Sequence, residues 1–226
     1  LLCSCVVCMQ AQEVTPVKER IIMIGDAGEM DSGQSLVIKH ASAQVIKDRT
    51  TVLFLGDNIY PNGMGLPGSE EEKATQEILR SQFSPFRAKD APVYFIPGNH
   101  DWDRSGKQGL LKIKQQGIFL ASQKDSLLKL VPQNGCPDPF EINIADQLTV
   151  IAFDSEWWLN PEPARNDDGD CNCKTKDEVL AQLKALVDKN RGKMIFLASH
   201  HPFLTYGSHG GYKNIPVFGG LYRAIR

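Results

Sequence analysis

Four apolar runs in this chain end in the same way. "IIMIG" runs out into Asp26 and "VLFLG" into Asp57, while "VYFIPG" leads to Asn99 and His100 and "IFLAS" to His200 and His201. Short runs rich in Ile, Val, Leu and Phe read as strands covered on both faces. In open α/β sheets, ligands bind beyond the carboxyl ends of the strands. The pattern therefore predicts an α/β fold that brings Asp26, Asp57, Asn99 and His200 together at one sheet edge. Glycine ahead of these groups lets the backbone turn sharply and approach closely.

The rest of the chain supports alternating strands and helices. Strands are predicted over 20–26, 51–57, 92–98, 140–145, 148–155 and 193–201. "FEINIAD" alternates apolar and polar residues and reads as an edge or half-exposed strand. Helices are predicted over 35–48, 69–83 and 175–190, and in part of 106–131, where Gly109 and Gly117 interrupt the pattern. The first carries Val37, Ala41 and Val45 as its apolar stripe. The second opens with Ser69 and Glu72 at capping-box spacing. The third opens with Thr175 and Glu178 at the same spacing, ahead of an apolar face of Val179, Leu183, Leu186 and Val187. Segments 60–69 and 159–174 are long polar loops, expected to wall a pocket. No internal repeat or long low-complexity segment is present.

A single Gly-Asp after a strand is ordinary turn chemistry, and a lone His40 on a helix is ordinary surface or core. The joint set carries more weight. Carboxylates, an amide oxygen and an imidazole form the ligand set of a hard-to-borderline divalent or trivalent metal. Cysteine is absent from the set, which argues against structural zinc.

"GDAG", "GDNIY", "GNHD" and "SHHPFLTYGSHG" occur in this order, and in order and spacing they resemble the calcineurin-like metallophosphoesterases over about residues 20–215. The likeness is greatest to the small, tartrate-resistant type of purple acid phosphatase. Its marks are Tyr60, three residues after Asp57, and a first motif Gly-Asp-x-Gly without a second-ligand histidine. The resemblance implies an α/β/β/α sandwich with two metal ions at the strand ends. Asp26 would bind the first metal, Asp57 would bridge both, and Tyr60 would bind the first as a phenolate, which favours Fe(III). Asn99 and His200 would bind the second, Fe(II), Zn(II) or Mn(II). The substrate would be a phosphate ester, attacked by a metal-activated hydroxide. His100 would face the substrate as phosphate ligand or proton donor, with His209 as the alternative donor. Asp101 would either orient an imidazole or cap the next loop. His201 receives no role.

The resemblance also implies a Gly-His-x-His motif beyond the stretch around His209, and none of the five histidines supplies it. On this reading, residues 20–226 are a C-terminally truncated metallophosphoesterase domain, expected to bind metal poorly and to lack most activity. Residues 1–12, "LLCSCVVCMQAQ", read as the remnant of a signal peptide. The alternatives are a buried N-terminal strand and a lipoprotein anchor on Cys5. Export to the periplasm, the extracellular space or the outer surface follows, in an oxidising compartment. There Cys136 is expected to pair with Cys171 or Cys173, in preference to a zinc site on the three.

With 25 basic and 27 acidic residues, the net charge of −2 sets up no field that recruits nucleic acid or an anionic membrane. Three functions remain open: a secreted phosphomonoesterase, a phosphodiesterase or nucleotide hydrolase with the same metals, and a binding protein with a degenerate site. Trp157 and Trp158 are candidates either for stacking on a base or sugar or for packing beside the sheet.

Overall fold

A computed structural model describes residues 16–159 and 171–202. Strands β1 (Arg20–Ile24), β2 (Thr50–Leu55), β3 (Val93–Ile96) and β4 (Leu128–Leu130) form a parallel sheet in the order β1-β2-β3-β4. Helices α1 (Ser32–Ala43), α2 (Glu72–Arg87) and α3 (Gly109–Ser122) make the three crossovers. A second sheet contains β5 (Phe140–Ala145), β6 (Leu148–Ala152) and β7 (Met194–Ala198) in the order β5-β6-β7. There β5 pairs antiparallel and β7 parallel with β6. Helices α4 (Ser155–Leu159) and α5 (Lys176–Lys189) lie between β6 and β7.

Strand parity divides the core. Side chains alternate across a strand, so Val52 and Phe54 of β2 join the cluster that holds Ile38 of α1, Leu79 and Phe86 of α2, and Ile113 of α3. Phe54 stacks on Phe95 at 4.6 Å and meets Phe86 edge-on at 6.0 Å. Leu53 and Leu55 point the other way, into a cluster with Ile96, Val150, Ala152 and Ala198, which fills the space between the two sheets. Val179 and Leu183 of α5 cover the outer face of the second sheet. The order of layers is α/β/β/α, and the four parallel carboxyl ends of the first sheet share one edge.

Local details differ from the sequence reading in four places. Helix α1 begins three residues before position 35, because the Asp31 carboxylate accepts from Gln34 N at 2.7 Å. It ends at Ala43, so Val45 lies beyond it. Its buried residues are Ile38 and Ser42, while Val37 is 51% exposed. Steps of four residues drift about 40° around a helix of 3.6 residues per turn, which carries Val37 off the stripe. Helix α2 begins at Glu72, and Ser69 does not cap it. The Glu72 carboxylate instead takes Gly68 N at 2.7 Å. Strand β4 occupies part of the segment read as helical, and three residues are too few to display alternation. Strand β6 stops at Ala152, and α4 begins at Ser155. The edge position of β5 and the Thr175–Glu178 capping box are both present.

Cys136 pairs with Cys171, and Cys173 is a buried free thiol that donates to Gln182 Oε1 at 2.7 Å. Trp157 and Trp158 are 1% and 6% exposed, so they pack in the core and offer no stacking face. Among the described residues, no helix is long and apolar enough to cross a membrane.

Candidate metal centre

Each sequence-predicted ligand leaves its strand through a tight turn. Asp26 and Asp57 both have left-handed backbone, with φ of 55° and 52°. That region is unfavourable for residues with a Cβ and persists where surroundings fix it. Two glycines explain how closely the turns pack. A Cβ on Gly56 would lie 2.6 Å from His200 Nδ1, and one on Gly98 would lie 2.3 Å from Asp57 N. These glycines let one turn of the site approach another.

The side chains then converge. Ligand atoms of Asp26, Asp57 and His200 all lie within 4.8 Å of one another. The Tyr60 hydroxyl is 3.0 Å from Asp26 Oδ1 and 3.0 Å from Asp57 Oδ2. A phenol has one proton, so only one of these contacts is a hydrogen bond at any moment. The other brings two oxygens together with nothing between them. Burial and the two carboxylates raise the phenol pKa above its ordinary value of 10.0. A cation in this oxygen-rich corner would reverse that tendency.

The second corner shows the same shortage of protons. His200 Nδ1 lies 2.9 Å from Leu55 O. A carbonyl only accepts, so Nδ1 carries the proton and the neutral ring has a bare lone pair on Nε2. That lone pair faces Asn99 Oδ1 at 3.1 Å and Asp57 Oδ1 at 3.5 Å. Three electron-rich atoms around one point fit a metal ion. Asp57 reaches both corners, with Oδ2 towards Tyr60 and Oδ1 towards His200. The residues present therefore fit two cations.

His100 stands beside the ligands. Its backbone N–H donates to Asp57 Oδ1 at 2.9 Å, and its Nδ1 donates to Pro61 O at 2.6 Å. Its Nε2 faces the site, 3.9 Å from Asp57 Oδ2. His209 lies outside the described residues.

Among the described residues, the Asp101 carboxylate has no imidazole partner. It is fully buried and accepts from Gly98 N at 2.8 Å, from Asn58 N at 3.1 Å and from Asn58 Nδ2 at 3.1 Å. It clasps the turn after β3 to the turn after β2, a role that differs from capping the next loop because its donors all precede it in the chain. Asn58 adds a bond to Ile96 O at 2.8 Å. Burial pushes the Asp101 carboxyl up to about 8, against the lowering effect of these donors. Asp154, which accepts from Trp102 Nε1 at 2.7 Å and Trp157 N at 2.9 Å, is pushed up to about 7 by burial.

Sequence reasoning missed the contacts that Ser155, Glu156 and His201 make behind the candidate ligands. Ser155 Oγ lies 2.9 Å from His201 Nδ1, and the His201 ring meets His200 at 4.8 Å. Burial lowers the His201 pKa to about 4, which favours a neutral ring. Glu156 accepts from Ser105 Oγ at 2.6 Å. The available signals were Asn58 directly after Asp57, and Glu156, a carboxylate amid apolar residues after a strand.

A cleft of about 380 Å³ opens beside Asp26 and Tyr60, lined further by Glu29, Asp31 and Gln34. The arrangement can hold two cations at the strand ends, with one imidazole nitrogen free to face what binds there. The family model for calcineurin-like phosphoesterases matches residues 19–220. No curated protein matches the chain. With its sandwich, its cluster of carboxylate, amide and imidazole groups at the strand ends and a match over most of its length, the chain belongs to the calcineurin-like phosphoesterase family.

Proposed function

We propose that this metal-dependent phosphoesterase is a phosphomonoesterase of the purple acid phosphatase kind. It works at a dinuclear centre held by Asp26, Asp57, Tyr60, Asn99 and His200. The observation that carries the reading is the Tyr60 hydroxyl, equidistant at 3.0 Å from a carboxylate oxygen of Asp26 and one of Asp57. An all-oxygen corner with a phenol suits Fe(III), and the corner of His200 Nε2 and Asn99 Oδ1 suits Fe(II), Zn(II) or Mn(II). Cations bound there supply positive charge that neutralises phosphate oxygens and acidifies water.

The protein's own part is positioning and proton handling. Asp57 fixes the two corners relative to each other. The Pro61 carbonyl holds one proton of His100 on Nδ1, so when the ring is charged Nε2 carries the second proton and can donate it to a phosphate oxygen or pass it to the leaving alcohol. His209 is the second candidate donor. The Cys136–Cys171 disulfide supports export, because such bonds persist in oxidising compartments. Retention on a lipid anchor at Cys5 belongs to the same proposal.

The test compares p-nitrophenyl phosphate with bis-p-nitrophenyl phosphate on metal-loaded protein. Faster turnover of the monoester is expected. The reverse order makes the protein a phosphodiesterase, and metal binding without turnover of either makes it a binding protein. Iron-loaded protein is expected to absorb in the visible, and Tyr60→Phe to remove the band. His100→Ala is expected to keep the metal and lower turnover by roughly 10²–10⁴-fold, the usual size of a lost general acid. Asn99→Ala is expected to lose metal, and equal metal loss in both variants would refute this division of labour.

A further inference from the structure

Three consecutive residues after the Asn99–His100 corner hold left-handed backbone. Asp103, Arg104 and Ser105 have φ of 56°, 52° and 62°, and none is glycine. Such strain persists only where the surroundings over-determine it, and here they do. The Asp103 carboxylate takes Lys112 Nζ at 2.7 Å, and Ser105 Oγ donates to Glu156 at 2.6 Å. Arg104 N donates to Asn99 O at 2.8 Å, and Gly106 N to Asp103 O at 2.8 Å. The two flanking side chains are tethered, and Arg104 alone projects between them.

Arg104 is exposed, and among the described residues its guanidinium meets no carboxylate. Its Nε lies 3.4 Å from His100 Nδ1. That nitrogen already donates its proton to Pro61 O, so two donors face each other and the approach is not a hydrogen bond. Among the described residues, the forked donors of Arg104 are therefore unused. Their position is specific. They lie against the Nδ1 side of the His100 ring, while Nε2 on the other side faces Asp57. The guanidinium is thus farther from the ligands than the nitrogen that meets the reacting phosphate. The rim is also polarised. Glu29 and Asp31 line the cleft beside Asp26, whereas the loop beyond His100 presents Arg104 and an exposed Lys107.

We infer that Arg104 determines substrate specificity by pairing with a second oxyanion on the leaving group. Preferred substrates are then phosphate esters or anhydrides whose leaving group itself carries a phosphate or a carboxylate. A planar fork of charged donors matches either oxyanion in bidentate fashion. The inference rests on the phosphoesterase reading above and adds the class of leaving group.

The experiment uses metal-loaded protein carrying Arg104→Met, Arg104→Lys or Arg104→Gly. Each variant is assayed with p-nitrophenyl phosphate, phosphoglycolate and pyrophosphate. For Arg104→Met, kcat/KM is expected to fall about tenfold or more on the anionic leaving groups, the size of a lost charge-assisted pair. It is expected to change by less than about twofold on p-nitrophenyl phosphate, whose leaving group makes no such pair. Arg104→Lys recovers part of the loss. Arg104→Gly suits the left-handed turn, keeps the melting temperature and loses the same discrimination. A loss confined to pyrophosphate or to phosphoglycolate supports the inference and identifies which oxyanion is read. Equal losses on all three substrates, or none on any, overturn it. Calorimetric titration with pyrophosphate and orthophosphate gives a readout without turnover. The wild type is expected to favour pyrophosphate, and Arg104→Met to lose that preference. An Arg104-dependent preference in a protein that turns over no ester rejects the phosphomonoesterase reading and, with it, the leaving-group specificity, while the pairing of Arg104 with a second oxyanion stands. A preference that survives in Arg104→Met rejects the inference alone.

Discussion

Asp26 and Asp57 enter the site on the same device. Each follows a strand and a glycine, each has left-handed backbone, and each has an oxygen 3.0 Å from the Tyr60 hydroxyl. Their surroundings differ. Asp57 is 4% exposed, its Oδ1 takes the His100 N–H, and Asp101 ties the residue after it to the β3 turn. Asp26 is exposed, its N–H donates to Gly56 O at 3.1 Å, and its side chain borders an open cleft. The preceding glycines repeat the contrast. A Cβ on Gly56 would strike His200, whereas one on Gly25 would meet nothing within 4 Å. One motif therefore serves two mechanical roles: a fixed bridge at the centre and an open ligand at the rim.

Removing the carboxylates tests that difference most severely. Asp57→Ala is expected to empty both corners and lower phosphoesterase activity on the order of 10³-fold or more, a loss of several kcal/mol of charge stabilisation. Asp26→Ala is expected to leave metal in the His200 corner and to cost less. Metal content per chain beside activity checks the pair, and equal metal loss would break the contrast.

The glycines sharpen it at the level of stability. Gly56→Ala forces a Cβ into His200 at positive φ and is expected to cost about 2–4 kcal/mol. Gly25→Ala is expected to shift stability by less than about 0.5 kcal/mol, as an open surface position does. Denaturant unfolding of the two variants decides.

The smallest effect is a pH dependence that the braced side dominates. Asp154 is pushed from its ordinary 3.8 up to about 7, so the native state binds the extra proton between those values. Its contribution is full below about 4 and is lost as pH rises through about 7. Asp101 acts in the same sense, up to about 8. Asp125 acts in the opposite sense, because the Arg87 guanidinium holds its carboxyl below the ordinary value. Its contribution is present above that value and fades as pH falls below it. Melting of the metal-free protein is therefore expected to rise from pH 8 towards 5 and to turn down in stronger acid. Asp154→Asn is expected to flatten the first limb, and an unchanged limb would reject Asp154 as its source.

What was legible in the sequence was whatever repeats. Strand runs closed by Gly and a polar residue gave the positions of Asp26, Asp57 and Asn99, and a run closed by Ser199 gave that of His200. Thr175 and Glu178 gave the start of α5, because both halves of a capping box lie within four residues. Contacts made across the fold were not legible. Asp101 follows His100 directly, yet its partners include Asn58, 43 residues earlier. Nothing local distinguishes a carboxylate that braces loops from one that orients an imidazole. The Val37 stripe failed for a related reason: its spacing matched a helix, but the Asp31 cap and the packing of Ile38 set the phase. The Trp157–Trp158 pair carried no local sign of its depth.

The candidate ligands come from two separate layers. Asp26, Asp57 and Asn99 rise from the first sheet, and His200 arrives from β7 of the second. A bound ion would therefore act as a rivet through the seam between the sheets. Its binding free energy would be shared with the docking of one layer on the other, since whatever binds only the native state stabilises it. Chelation would loosen the seam as well as stop the chemistry. Changes at Leu53, Val150 or Ala198, deep between the sheets and touching no ligand, would reach the metal by altering the distance the rivet has to span.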